Sequence, residues 1–175
     1  MDLKKLIRTI PDYPKAGIQF RDITPLLEHP EGWGQTVEAL VAPMRDVGID
    51  CVAGIEARGF IVGASVAQQL GLGFVAIRKK GKLPYTTHSV KYDLEYGSDE
   101  MEMHVDSVGA GDRVLLVDDL IATGGSACAA IDLIQQSGGK LVGASFVIDL
   151  PDLGGSRRLK AQGVPFHRLM DFEGA

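Results

Sequence analysis

At 175 residues the chain has the length of one domain and can bury one substantial core. Its net charge of −5 argues against a nucleic-acid binder that works by general electrostatics, although local basic clusters remain available to an anionic small molecule. No apolar run approaches the roughly 20 residues that span a bilayer, and the N-terminal MDLKKLIRTIPDYP lacks the apolar core and cleavage site of a signal peptide, so a cytoplasmic protein is expected.

In chain order, the first 48 residues predict a short helix near 2–8, a proline-bearing loop through PDYPKAGIQFRDITP, and a helix through GQTVEALVAPMRDVG. The run CVAGI (51–55) then reads as a strand, and RGFIVGASVAQQLG (58–71) as a helix closed by Gly71. A second strand follows at GFVAI (73–77). Residues 78–106 break the alternation. There RKKGKLPYTTHS is basic and glycine-bearing, which predicts a mobile arm. In KYDLEYG, Tyr92, Leu94 and Tyr96 alternate with Asp93 and Glu95, and in EMEMHV the methionines alternate with Glu100, Glu102 and His104. Two such runs predict an antiparallel hairpin with its turn near Gly97-Ser98, a candidate lid.

The strand VLLV (114–117), the helix SACAAIDLIQQSGG (126–139), the strand LVGASFVI (141–148), a polar stretch (151–163) and the strand VPFHRL (164–169) complete the chain. Most of the five strands lack period-2 alternation, which suggests cover on both faces. Strand alternating with helix predicts an α/β fold with a mainly parallel sheet. No repeat or low-complexity linker divides it, so residues 1–175 are expected to form a single domain. Cys51 and Cys128 sit in apolar contexts and read as small core residues, and the four scattered histidines suggest no zinc site.

The most informative stretch is VLLVDDLIATGGS (114–126). In a parallel sheet, ligands gather at the carboxyl ends of strands, where Asp118 and Asp119 lie. The turn Ala122, Thr123, Gly124, Gly125, Ser126 opens a helix, and its exposed N–H groups, helix dipole and two hydroxyls suit a phosphate. The acids repel phosphate but accept well from a diol. Adjacent strand residues point to opposite faces, so both reach one diol only if a loop begins near 120. A ribose 5-phosphate satisfies both halves of the motif. Paired acids are also compatible with Mg²⁺ ligation or with helix capping, whereas a Walker A loop requires a lysine absent here.

VLLVDDLIATGGS resembles the signature of the type I phosphoribosyltransferases, and IEARGF (55–60), RKKGKLP (78–84), YDLEYG (92–97) and PKAGIQFRDITP (14–25) resemble the adenine-using branch of that family. The resemblance covers nearly the whole chain. It departs mildly at Ser126, where threonine is frequent, and in YTTHSVK. It implies the type I fold: a mainly parallel central sheet flanked by helices, with an inserted hairpin lid (78–106) and an N-terminal base hood within 1–48. The implied reaction joins adenine to 5-phosphoribosyl-1-pyrophosphate, giving AMP and pyrophosphate in purine salvage.

By the same resemblance, Asp118 and Asp119 hold the ribose hydroxyls and Ala122 to Ser126 cradle the 5′-phosphate. Glu56, Ala57 and Arg58 form a pyrophosphate turn with a cis peptide between the first two, joined by Arg78 and Lys82 from the lid. Glu95 is the expected general base and Tyr96 a lid-closing residue. Phe20 is expected to stack on the purine, with the backbone of Gln19 to Arg21 reading its edge and Leu150 lining the far side. Mg²⁺ is expected to arrive with the pyrophosphate, bound mainly through substrate rather than protein side chains. A homodimer is the implied assembly. The rival readings are a phosphoribosyltransferase for another purine, such as hypoxanthine, guanine or xanthine, and a non-catalytic sensor of purines or phosphoribosyl pyrophosphate.

Overall fold

A computed structural model describes residues 1–94 and 96–174. The chain enters through a 3-10 turn at Leu3–Leu6 and strand β1 (Arg8–Ile10), which pairs antiparallel with β2 (Phe20–Asp22). The expected helix near 2–8 is therefore only one tight turn, and the expected loop contains a strand. With three residues in each strand, the pair is too short to leave a readable period.

Helix α1 (Thr24–Glu28), a second element hidden in that loop, leads into α2 (Pro30–Val41). α2 begins before the apolar pattern does, because Pro30 suits a first helical position and His29 Nδ1 accepts from the Gly32 N–H at 3.0 Å. A 3-10 turn at Ala42–Met44 follows.

The alternating body then runs β3 (Cys51–Ile55), α3 (Arg58–Leu70), β4 (Gly73–Lys79), the hairpin β5 (Thr87–Leu94) and β6 (Gly97–His104), β7 (Arg113–Ile121), α4 (Gly125–Gln136), β8 (Lys140–Asp149), α5 (Gly155–Ala161) and β9 (Phe166–Asp171). Gly71 ends α3 at φ 71°, as its C-cap role requires. Seven strands form one sheet in the order β5-β6-β4-β3-β7-β8-β9, parallel from β4 through β9.

Both faces of that sheet are covered, which explains the unbroken apolar runs. In β7, Val114 and Leu116 pack on the side of α4 with Ile131 and Ile134, while Leu115 and Val117 pack opposite with Leu40 of α2 and Val62 of α3. Cys128 is buried and Cys51 half-buried, both as free thiols, in keeping with their reading as core residues.

The hairpin departs from expectation in two respects. Its register runs to Leu94↔Gly97, so Gly97 and Ser98 are strand residues and the turn precedes them. It is also no separate flap at its base. β6 pairs antiparallel with β4 through Arg78↔Glu102 and Lys79↔Met101, and Met101 and Met103 are buried in the core. The methionine side of the alternation was thus the inward face of a sheet edge.

Candidate active site

The chain leaves β3 toward β4 on one side and leaves β7 toward β8 on the other, so the strand order reverses between β3 and β7. Such a switch point opens a crevice at the carboxyl ends of the strands. A cleft of about 440 Å³ lies there, lined by Glu56, Ala57 and Arg58 after β3, Asp118 and Asp119 on β7, and Tyr92 from the hairpin. A smaller cavity of about 180 Å³ is enclosed by the turn 122–126, and Asp118 and Ser126 border both.

The paired acids reach this cleft by a route other than the one expected. β7 does not turn near 120 but continues to Ile121. Its pairing with β3 stops at Gly54↔Val117, so residues 118 and 119 face open space where β3 has ended. Gly59 makes room for Asp118, because a Cβ there would strike the carboxylate. Asp118 Oδ1 accepts from the Asp119 N–H at 2.8 Å. Burial, then the neighbouring Asp119 charge, push the Asp118 carboxyl well above its usual range, against a smaller pull from Arg58. Asp119 Oδ2 lies 2.8 Å from Arg58 Nε, yet it carries no aligned hydrogen bond among the described residues. A carboxylate oxygen in that state keeps acceptor capacity beside the cleft.

The turn after β7 has the form expected of an anion cradle. Gly124 takes φ 87°, a conformation suited to glycine, and α4 begins at Gly125. The first turn of a helix leaves its N–H groups without intrahelical partners, and here they edge the smaller cavity beside the exposed Thr123 and Ser126. A residue not singled out in the sequence supports this turn from beneath. The Gly155 N–H donates to the Ala122 carbonyl at 2.9 Å. A Cβ on Gly155 would lie 2.8 Å from the Gly124 nitrogen. The Gly154-Gly155 pair was the available signal, but only the packing gives it meaning.

The turn after β3 carries the expected cis peptide between Glu56 and Ala57. Glu56 gathers cations from the end of β4 and the loop after it. It lies 2.9 Å from Lys82 Nζ and 3.4 Å from Arg78 Nε, and it accepts from the Lys79 N–H at 2.7 Å. Burial opposes its charge, but the Lys79 N–H, Lys82 and Arg78 outweigh burial and hold the carboxyl below its usual range. Arg78 and Lys82 are thus brought to the turn after β3, where they were expected. Lys79 pairs instead with Asp99 at 3.3 Å, and Lys80 with Glu100 at 3.3 Å.

Arg58 joins this region to β2. Its guanidinium lies 5.1 Å from the Phe20 ring centroid, and its Nη1 donates to the Arg21 carbonyl at 3.5 Å. Phe20 also meets Tyr13 edge to face at 5.3 Å. Gln19 is half-buried beside it. Leu150 is 6% exposed and packs in the core, with its N–H donating to the Ile121 carbonyl at 3.0 Å. It anchors the loop beside the phosphate turn. Tyr96 is 84% exposed at the hairpin tip, 5.7 Å from the Lys15 ammonium of the N-terminal loop. Glu95 lies outside the described residues. Among the described residues, no cluster of three or more His, Cys, Asp or Glu stands ready to hold a metal ion.

Comparison with known proteins agrees with this geometry. The profile of the phosphoribosyl transferase domain matches residues 35–163. The adenine phosphoribosyltransferase of Methylobacterium nodulans is 63% identical over 172 residues, covering 98% of this chain and 95% of the relative. Among solved structures, the adenine phosphoribosyltransferase of Rhodothermus marinus superposes with a TM-score of 0.92 at 52% identity, covering 97% of this chain and 96% of the other. That of Giardia lamblia, complexed with 9-deazaadenine, superposes with a TM-score of 0.92 at 36% identity, covering 98% and 96%.

Proposed function

Because the chain belongs to the phosphoribosyltransferase family, we propose that it transfers the phosphoribosyl group of 5-phosphoribosyl-1-pyrophosphate to adenine, giving AMP and pyrophosphate in purine salvage. The observation that carries this reading is the switch-point cleft. It sets a buried acid pair beside a glycine phosphate turn, and full-length relatives with the same fold use adenine.

In the mechanism we infer, Ala122 to Ser126 hold the 5′-phosphate and Asp118 and Asp119 accept from the ribose hydroxyls. Glu56, Ala57 and Arg58 flank the pyrophosphate. Arg78 and Lys82, drawn to that turn by Glu56, neutralise the leaving charge. Loss of pyrophosphate from C1 passes through an oxocarbenium-like transition state. The adenine nitrogen attacks C1 and loses its proton to Glu95 as general base. Phe20 stacks on the purine, the backbone of Gln19 to Arg21 reads its edge, and Leu150 supports the far side. Tyr96 closes the hairpin over the site, which excludes water from the ribosyl cation.

Mg²⁺, arriving with the substrate beside Glu56, Ala57 and Arg58, would supply neutralisation of the pyrophosphate charge. The cleft suits an ion that takes most ligands from substrate and water, because two of its four lining acids, Glu56 and Asp99, are paired with Lys82 and Lys79, and the other two, Asp118 and Asp119, are assigned to the sugar in this reading. The whole chain acts as one domain, with 1–48 as hood and 78–106 as lid, in a cytoplasmic homodimer. No helix among the described residues is long and apolar enough to cross a membrane.

The test is nucleotide formation from phosphoribosyl pyrophosphate, Mg²⁺ and each purine in turn. AMP is the expected product, and turnover of hypoxanthine or guanine but not adenine would overturn the base assignment. Glu95→Gln should lower kcat by about a hundredfold while leaving the affinity for phosphoribosyl pyrophosphate near that of the wild type. An unchanged kcat would remove Glu95 from the mechanism.

A further inference from the structure

We propose that the C-terminal segment Phe172–Gly174 is a strap that positions the purine-reading backbone of the hood, acting through the Arg21 side chain. The proposal rests on the hood reading given above. Arg21 belongs to β2, yet its guanidinium turns toward the end of the chain. Nη1 donates to Thr9 Oγ1 at 2.7 Å, and Nη2 donates to the Glu173 carbonyl at 3.2 Å. The guanidinium carbon lies 4.5 Å from the centroid of the Phe172 ring. Nε is buried without a hydrogen-bond partner among the described residues. A planar cation fixed by two hydrogen bonds and an aromatic face has one orientation, and its backbone is held accordingly.

The strap is itself tied to the rigid body. The Phe172 N–H donates to the Asp149 carbonyl at 3.1 Å, and the Gly174 N–H donates to Asp152 Oδ2 at 2.8 Å. Asp149 ends β8 and Asp152 lies just beyond Leu150, so the strap takes its position from the sheet edge beside the phosphate turn. On the other side, the Arg21 carbonyl receives Arg58 Nη1, and Arg58 faces Asp119. A continuous set of contacts therefore runs from the chain end, through Arg21 and Arg58, to the acid that meets the ribose. Moving the strap would shift the purine-reading backbone relative to the sugar. Phe172 is thus a positioning residue and not a catalytic one.

The test is steady-state kinetics on the full chain. Phe172→Ala should raise KM for adenine by about three- to tenfold, with KM for phosphoribosyl pyrophosphate unchanged and kcat within about twofold. Phe172→Tyr, which keeps the ring face, should restore the adenine KM. Phe172→Leu keeps the apolar anchor without the ring and should fall between them. Arg21→Met should add less on top of Phe172→Ala than it costs alone, because the ring contact is common to both.

Equal rises in both KM values, or a lower melting temperature with unchanged kinetics, would overturn the strap. So would full additivity of the two substitutions. A parallel Phe20→Ala variant separates the possible failures. If it leaves adenine affinity intact, the hood reading falls. If it weakens adenine while Phe172→Ala does not, the strap alone falls.

Discussion

Asp118 is held at the end of β7 with its carboxyl shifted upward, by burial first and by the Asp119 charge second. A carboxyl raised in the fold binds its proton more tightly there than in the unfolded chain. Folding stability therefore increases as pH falls from the raised folded value toward the 3.8 of an ordinary aspartate, and the cost of the charge is fully present above that window. Asp118→Asn keeps the oxygen that receives the Asp119 N–H and removes the buried charge. It should melt several degrees above the wild type at neutral pH, and the gap should shrink as pH falls into the acid range. The same variant should bind phosphoribosyl pyrophosphate more weakly. Thermal unfolding across pH, paired with donor titration, reads both effects. A variant no more stable at neutral pH would show that the charge is not a net cost, and wild-type donor affinity would count against the diol role. The acid pair was legible in the sequence. Its reach into one cleft was not, because that depends on β3 ending at Ile55 while β7 continues.

At the scale of elements, the glycine turn at 122–126 depends on a neighbour from elsewhere in the chain. Gly155 opens α5 directly beneath Ala122 and Gly124, and the approach leaves no space for a side chain. Gly155→Ala should force the turn outward and raise KM for phosphoribosyl pyrophosphate about tenfold, with a much smaller effect on the adenine KM. Inhibition by ribose 5-phosphate should weaken in parallel. Unchanged donor kinetics would mean that the turn tolerates the added methyl group, and that Gly155 serves chain geometry alone. Local pattern named the turn because its glycines and hydroxyls are contiguous. Its support was invisible, since Gly155 meets the turn only after the β8 crossover carries the chain back to the sheet. The same limit applies to β1 and β2, whose three-residue pairing forms across the loop that holds Lys15 and Gly17.

At the scale of the whole molecule, the hairpin is both the edge of the sheet and a wall of the cleft. Its base is locked by Met101 and Met103 in the core and by β6 pairing with β4, while Leu94 and Tyr96 at the tip are exposed. Closure should therefore be a motion of the tip about a fixed base rather than a swing of the full 78–106 segment. Amide hydrogen exchange should be slow at Met101 and Met103 and fast at Leu94, Tyr96 and Gly97, with tip protection increasing when phosphoribosyl pyrophosphate and an adenine analogue bind. Uniformly fast exchange along β6 would restore the picture of a fully mobile lid.

The sequence by itself determined the α/β class, most of the strand runs of the sheet, and the acid pair with the glycine turn that follows it. Each is written in contiguous residues whose spacing or composition carries the physics. Only the tertiary structure decided that both acids share one cleft, that Gly155 supports the phosphate turn, that the hairpin extends the sheet, and that Phe172 grips Arg21. These depend on residues far apart in the chain, brought together by strand order and by where each strand stops, and no local period encodes either.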